Sequence, residues 1–158
     1  MLKIAEDKTS KFVWWDEVII FPFFDNEENI IYLQARRLKD TTPKYLNLSN
    51  IKKPVYNFHI IKKLNSGNRV YICEGIPDTI AATQCGLNAI GILGANSFDV
   101  SLVAQLLDFE IFVIPDSDMA GRKMLKTIQL AFQKVSKPVE ALIIPEGKDF
   151  SDVFVRLK

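Results

Sequence analysis

Glu74, Asp116 and Asp118 are the residues of this chain best placed to do chemistry. Each follows a short apolar run. Glu74 comes directly after Val70-Tyr71-Ile72-Cys73, and the two aspartates come after Ile111-Phe112-Val113-Ile114 and Pro115. Such runs read as buried strands of a parallel sheet, and ligands of open α/β sheets bind beyond the carboxyl ends of the strands. If the two strands are neighbours, the three carboxylates converge on one point. Ionised carboxylates that close to one another repel and call for a cation. An all-oxygen donor set suits Mg²⁺ or Mn²⁺, ions that hold phosphates and stabilise charge in phosphoryl transfer. Against this, an acid after a strand is commonly a helix cap or a solvated loop residue. Asp118, just ahead of Ala120-Gly121-Arg122-Lys123, fits a cap equally well. Spacing alone leaves both readings open.

The elements that must position these acids follow from the apolar pattern. Val70–Cys73, Ala89–Leu93, Ile111–Ile114 and Val139–Ile144 read as four short strands. Between and after them, helices are expected from Pro77 to near Gly86, from Phe98 to Leu107, from Gly121 to Val135 and from Ser151 to Leu157. Strands alternating with helices imply a parallel, helix-covered α/β sheet. Ahead of it, Val18–Phe24, the polar turn Asp25–Asn29 and Ile30–Arg36 read as a hairpin, followed by polar loops. The turn-rich stretch Asn65-Ser66-Gly67-Asn68-Arg69 is the natural divider. It separates a small β-rich mixed subdomain, residues 1–65, from an α/β domain, residues 66–158.

With 158 residues, 48% hydrophobic and 25% charged, the chain has the composition of a folded globular protein. The net charge of +1 gives no general attraction to nucleic acid, though it allows a local basic groove. Cys73 and Cys85 form no C-x-x-C pair and both read as small core residues. His59 is the only histidine, which excludes a two-histidine metal site. No apolar run approaches the roughly 18–20 residues of a membrane span, and the charged start has no signal-peptide core. A cytoplasmic location is expected, with no membrane partner.

Longer motifs give the acids a context. Glu74-Gly75-Ile76-Pro77-Asp78 resembles the E-G-x-x-D motif of the Toprim domain, and Asp116-Ser117-Asp118-Met119-Ala120-Gly121-Arg122-Lys123 resembles its D-x-D in the form typical of bacterial-type primases. Gly147-Lys148-Asp149-Phe150-Ser151-Asp152 resembles the G-K-D-x-x-D segment near the end of primase Toprim domains, in a spacing closer to phage or mobile-element primase-helicases. In the first half, Ile19–Asp25 and Leu33–Leu38 resemble the strands that precede Toprim in such primases, and Thr42-Pro43-Lys44-Tyr45-Leu46-Asn47 resembles their T-P-K-Y-L-N motif closely.

The resemblance implies that Glu74 serves as general acid, general base or metal ligand, and that Asp116 and Asp118 bind metal, with Asp149 within reach of a second ion. Arg36 and Lys44 would line a basic groove. Arg is suited to grip phosphate bidentately, and Lys44 supplies a mobile charge. Tyr45 either stacks on a base or packs the hairpin. Arg122, Lys123 and Lys148 meet phosphates or, for the helix pair, form a solvated face. Asp78 and Asp152 either support the cluster or serve the first turns of their helices.

The implied activity is primer synthesis from ribonucleoside triphosphates on a single-stranded DNA template. A Toprim-type nuclease and a non-catalytic single-stranded DNA or nucleotide-binding module are the competing readings, since one fold hosts several chemistries. The sequence contains neither the zinc-binding module nor the helicase region of larger relatives. The chain then reads either as an isolated catalytic core or as a small mobile-element protein that borrows its other parts, with a replicative helicase or a separate zinc-binding module as candidate partners.

Overall fold

The structure, a computed structural model, describes residues 17–94, 98–144 and 149–156. The chain divides into two compact units, one ending at Pro54 and the other beginning at Val55. The division falls ahead of the turn-rich stretch expected to mark it. Residues 55–64 belong with the second unit because Val55, Phe58, Ile60, Ile61 and Leu64 pack on its core.

The first unit is a three-stranded antiparallel sheet in the order β1-β2-β3, with β1 Val18–Phe24, β2 Ile30–Arg37 and β3 Tyr45–Asn47. The expected hairpin is present. Its turn is closed by Asp25, whose Oδ1 accepts from the Glu27 and Asn29 amides at 2.8 and 2.9 Å. Phe23 and Tyr32 are fully buried and meet edge to face, with ring centres 5.1 Å apart. The third strand was not apparent among the polar loops. It is fixed by Asn47, whose Oδ1 accepts from buried Gln34 at 2.8 Å and from the Tyr32 hydroxyl at 3.3 Å. Part of the T-P-K-Y-L-N motif is therefore a strand register: Tyr45, Leu46 and Asn47 pair with Arg36, Ala35 and Gln34.

The second unit is a four-stranded parallel sheet in the order β5-β4-β6-β7, flanked by helices. Its strands are β4 Arg69–Cys73, β5 Ala89–Gly91, β6 Glu110–Ile114 and β7 Val139–Ala141. Its helices are α1 Ile76–Gln84, α2 Ser101–Gln105, α3 Met119–Gln133 and α4 Phe150–Arg156. Side chains alternate across the sheet. Val70, Ile72, Ile111 and Val113 join Leu102, Val103, Met124, Ile128 and Phe132 in the larger core. On the opposite face, Cys73 and Ile114 pack with Ala82, Ala89 and Phe150.

Buried Gly121, Met124, Ile128, Ala131 and Phe132 recur at helical spacing, so α3 presents one continuous face to the sheet. α2 and β7 are shorter than expected. Leu142 and Ile143 lie beyond β7 and are exposed, so apolar character ran past the paired segment there. Cys73 is buried as expected, but Cys85 is exposed, because it lies at the end of α1 where the helix turns into solvent. No described helix is long and apolar enough to cross a membrane.

Candidate metal centre

β4 and β6 are parallel neighbours, with Cys73 level with Ile114. The condition on which convergence depended is therefore met: Glu74 and Asp116 leave the same end of adjacent strands. Glu74 is half-buried, and its Oε2 is shut off from solvent with no hydrogen-bond partner among the described residues. Leaving a carboxylate oxygen dry and unpaired is costly unless a proton or a cation is supplied.

The electrostatics agree. Burial pushes the Asp116 carboxyl up to about 7, helped by the carboxylates of Asp78, Glu74, Asp149 and Asp118. Glu74 is raised by burial and then by Asp118 and Asp78. Asp78 is raised mainly by burial, against the opposing pull of the Ser151 amide. Five acids thus share one electrostatic neighbourhood. Among the described residues, no three His, Cys, Asp or Glu side chains already stand in a ligating arrangement. The donor set nevertheless fits a hard divalent cation: it is all oxygen, rich in charge, and holds a buried orphan atom.

The acids differ in how they are held. Asp118 caps α3, its Oδ1 accepting from the Gly121 amide at 2.9 Å. The cap uses one carboxylate oxygen, so capping and metal binding are compatible in one side chain. Gly121 is required by contact. A Cβ there would run into the Asp116 backbone carbonyl and come within 2.6 Å of its nitrogen. On the neighbouring loop, the Thr79 hydroxyl, fully buried, donates to the Gly75 carbonyl at 2.6 Å. Gly91, at the end of β5, leaves room for that hydroxyl, since a Cβ there would lie 2.5 Å from Thr79 Oγ1.

Asp78, buried on α1, accepts the Ser151 amide at 2.9 Å and so ties the start of α4 to α1. Asp149 caps α4, its Oδ1 accepting from the Ser151 hydroxyl and the Asp152 amide at 2.8 Å each. Asp152 is an exposed residue in the first turn of α4. Lys148 lies outside the described residues.

The basic candidates of α3 are exposed, and Arg122 Nη1 donates to the Ser117 carbonyl at 2.7 Å. In the first unit, Arg36 lies over the Tyr45 ring, 5.9 Å from its centre, on the paired positions of β2 and β3, while Lys44 is exposed. Tyr45 is half-buried against its strand neighbours. The roles of Thr79, Gly91 and Ser151 were not read from sequence, since each depends on a contact between separate elements. Gly121 carried a signal, because a glycine inside a helix that opens on D-x-D implies a close backbone approach.

A family model described as Toprim-like matches residues 71–154, just over half the chain and all of the acid-bearing loops. The chain belongs to the Toprim-like family. Beyond the Toprim-like region the similarity continues. A DNA primase of Clostridium acetobutylicum is 30% identical over 145 residues, covering 87% of this chain and 24% of that protein. A DNA primase of Escherichia coli K12 is 26% identical over 166 residues, covering 97% of this chain and 28% of its own length. Among solved structures, a DNA primase domain from Pseudomonas aeruginosa superposes with a TM-score of 0.73 at 26% identity, over 97% of this chain and 51% of that one. The structure of the DnaG catalytic core gives 0.72 at 24% identity, over 89% of this chain and 48% of that one. This Toprim-like chain thus spans about a quarter of the curated relatives it matches and about half of the matching structures.

Proposed function

We propose that this chain is a primase catalytic core that makes RNA primers on a single-stranded DNA template by metal-dependent nucleotidyl transfer in the cytoplasm. The observation that carries this reading is the reach of the similarity. The match to the Pseudomonas aeruginosa primase domain covers 97% of the chain and so runs through both units, not only the Toprim-like one. A structure of a related DnaG catalytic domain is of the protein bound to single-stranded DNA, which supports a DNA template here.

Glu74, Asp116 and Asp118, with Asp149, are the residues that would hold Mg²⁺ or Mn²⁺. When bound, the ion supplies charge neutralisation on the triphosphate and on the attacking and leaving oxygens. The protein's own contribution is positioning. Glu74 Oε2, dry and unpaired, is suited to take the proton of the primer hydroxyl, because its raised pKa brings it closer to the range in which carboxylates serve as bases. Asp118 and Gly121 hold the D-x-D loop at the start of α3. Arg36 and Lys44 bind template or nucleotide phosphates, with Lys123 and Lys148 as further cations. A zinc-binding module and a replicative helicase are the protein partners this reading calls for.

A template-directed assay with labelled ribonucleotides and Mn²⁺ or Mg²⁺ tests this. The parent chain, supplied if needed with a zinc-binding module, extends primers, and the Asp116→Ala, Asp118→Ala double variant loses extension to background. Equal extension by both proteins would overturn the assignment. Metal-dependent DNA cleavage without incorporation would replace it with a nuclease.

A further inference from the structure

Arg122 of α3 bonds directly to the acidic loop. Its guanidinium Nη1 donates to the Ser117 carbonyl at 2.7 Å, and its backbone amide donates to the Asp118 carbonyl at 3.2 Å. Ser117 separates the two metal-binding aspartates. Its carbonyl belongs to the peptide plane that joins it to Asp118, so fixing that carbonyl fixes the rotations that set one carboxylate against the other. The rest of the loop is pinned with equal economy: Asp118 by the Gly121 amide, and the Asp116 backbone by the bare Cα of Gly121 beneath it. The neighbouring acidic loop repeats the device, with the Thr79 hydroxyl bonded to the Gly75 carbonyl directly after Glu74.

We infer that Arg122 is a positioning residue: it holds the Asp116-Ser117-Asp118 loop in its metal-binding shape rather than serving first as a phosphate contact. The inference rests on the metal-centre reading above and adds to it a part of the site that the D-x-D motif alone does not assign.

Two forces separate this role from its alternatives by sign. Arg122 is a cation close to a cation site. If charge were its only influence, removing it would relieve repulsion and tighten metal binding. If it orients the loop, removing it weakens binding despite that relief. The test is calorimetric titration of the full chain with Mn²⁺ alone, without nucleotide or DNA. Arg122→Ala is expected to weaken Mn²⁺ binding by about tenfold, the scale on which groups that orient ligands act. Arg122→Lys, which keeps the charge and a donor at the end of a slightly shorter side chain, is expected to recover part of that loss. Lys126→Ala, an equal loss of charge elsewhere on α3, is expected to leave affinity unchanged or slightly tighter.

Thermal unfolding of the metal-free variants provides the fold control, and the exposed Arg122 side chain should leave it nearly unchanged. Mn²⁺ binding by Arg122→Ala that equals or exceeds that of the parent overturns the inference. A parent chain that binds no Mn²⁺ at all overturns the metal centre itself, a distinct result.

Discussion

Glu74 and Asp116 stand just beyond the paired ends of adjacent strands, yet different forces hold the loops that carry them. The Glu74 loop is locked from inside the protein. Thr79 is fully buried beneath it, Gly91 closes against Thr79, and the whole arrangement lies against the core of the sheet. The Asp116 loop is locked at the surface by the first turns of α3, through a cap, a backbone contact and an arginine. Asp118 and Arg122 are exposed, whereas Thr79 is not. Glu74 and Asp116 are both half-buried, whereas Asp118 reaches solvent.

The comparison can be broken at its two glycines. Gly121→Ala drives a Cβ into backbone, which cannot swing aside, whereas Gly91→Ala meets first a side-chain hydroxyl. Overpacking of this kind costs about 1–3 kcal/mol and more where nothing yields. Gly121→Ala is therefore expected at about 3 kcal/mol or above and Gly91→Ala at about 1–2 kcal/mol in urea unfolding. Equal losses would show that the surface loop is no more tightly bound to its helix than the buried one is to its strand.

A second test uses protons. Burial and the neighbouring carboxylates push the Asp116 carboxyl up to about 7 in the folded chain, from an ordinary value of 3.8. Between those values the folded state keeps a proton that the unfolded state has released. The stabilisation from this group is thus complete below the unfolded value and is lost as pH rises through about 7. Because the group is only half-buried, screening reduces the effect to about 1–2 kcal/mol. In chelator, Asp116→Asn should flatten the fall in melting temperature between pH 5 and pH 8, while added Mn²⁺ should stabilise the parent and not the variant. An unchanged pH slope in Asp116→Asn would remove Asp116 as the focus of the repulsion.

The smallest effect sharpens the surface loop. Asp118→Asn keeps an oxygen for the Gly121 amide, so stability should move by less than about 0.5 kcal/mol while Mn²⁺ affinity falls. Asp118→Ala loses the cap as well and should cost about 1 kcal/mol. If the two variants melt alike, the cap contributes little and the glycine contact carries the loop.

The placement of the acids at strand ends was legible because its signal is local. An apolar run followed by Glu, or by Pro-Asp-x-Asp, marks a strand end without knowledge of the partner strand, and the paired ends Cys73 and Ile114 meet as that reading required. The alternatives left open for Asp118 proved compatible rather than exclusive, since one oxygen caps the helix. What stayed hidden depends on distant pairing. β3 is too short to show alternation and exists because Asn47 answers Gln34 and Tyr32. Residues 55–64 joined the second unit through scattered apolar contacts and through Tyr56, which exchanges two backbone bonds with Gly91 at 2.8 and 2.9 Å. The exposure of Cys85 was a matter of where α1 ends, which composition does not reveal.

The bond from the Ser151 amide to Asp78 joins residues 73 positions apart. Neither α1 nor α4 can form that bond alone, so the bond reports the docking of the two helices. A contact that closes so long a stretch of chain is earned late in folding. A short helix with exposed residues opens at lower free energy than the buried sheet strands. The Ser151 amide is thus a clock for the completion of the acidic cluster. Its hydrogen exchange reports when Asp149 arrives beside Asp116, separately from the moment the sheet is made.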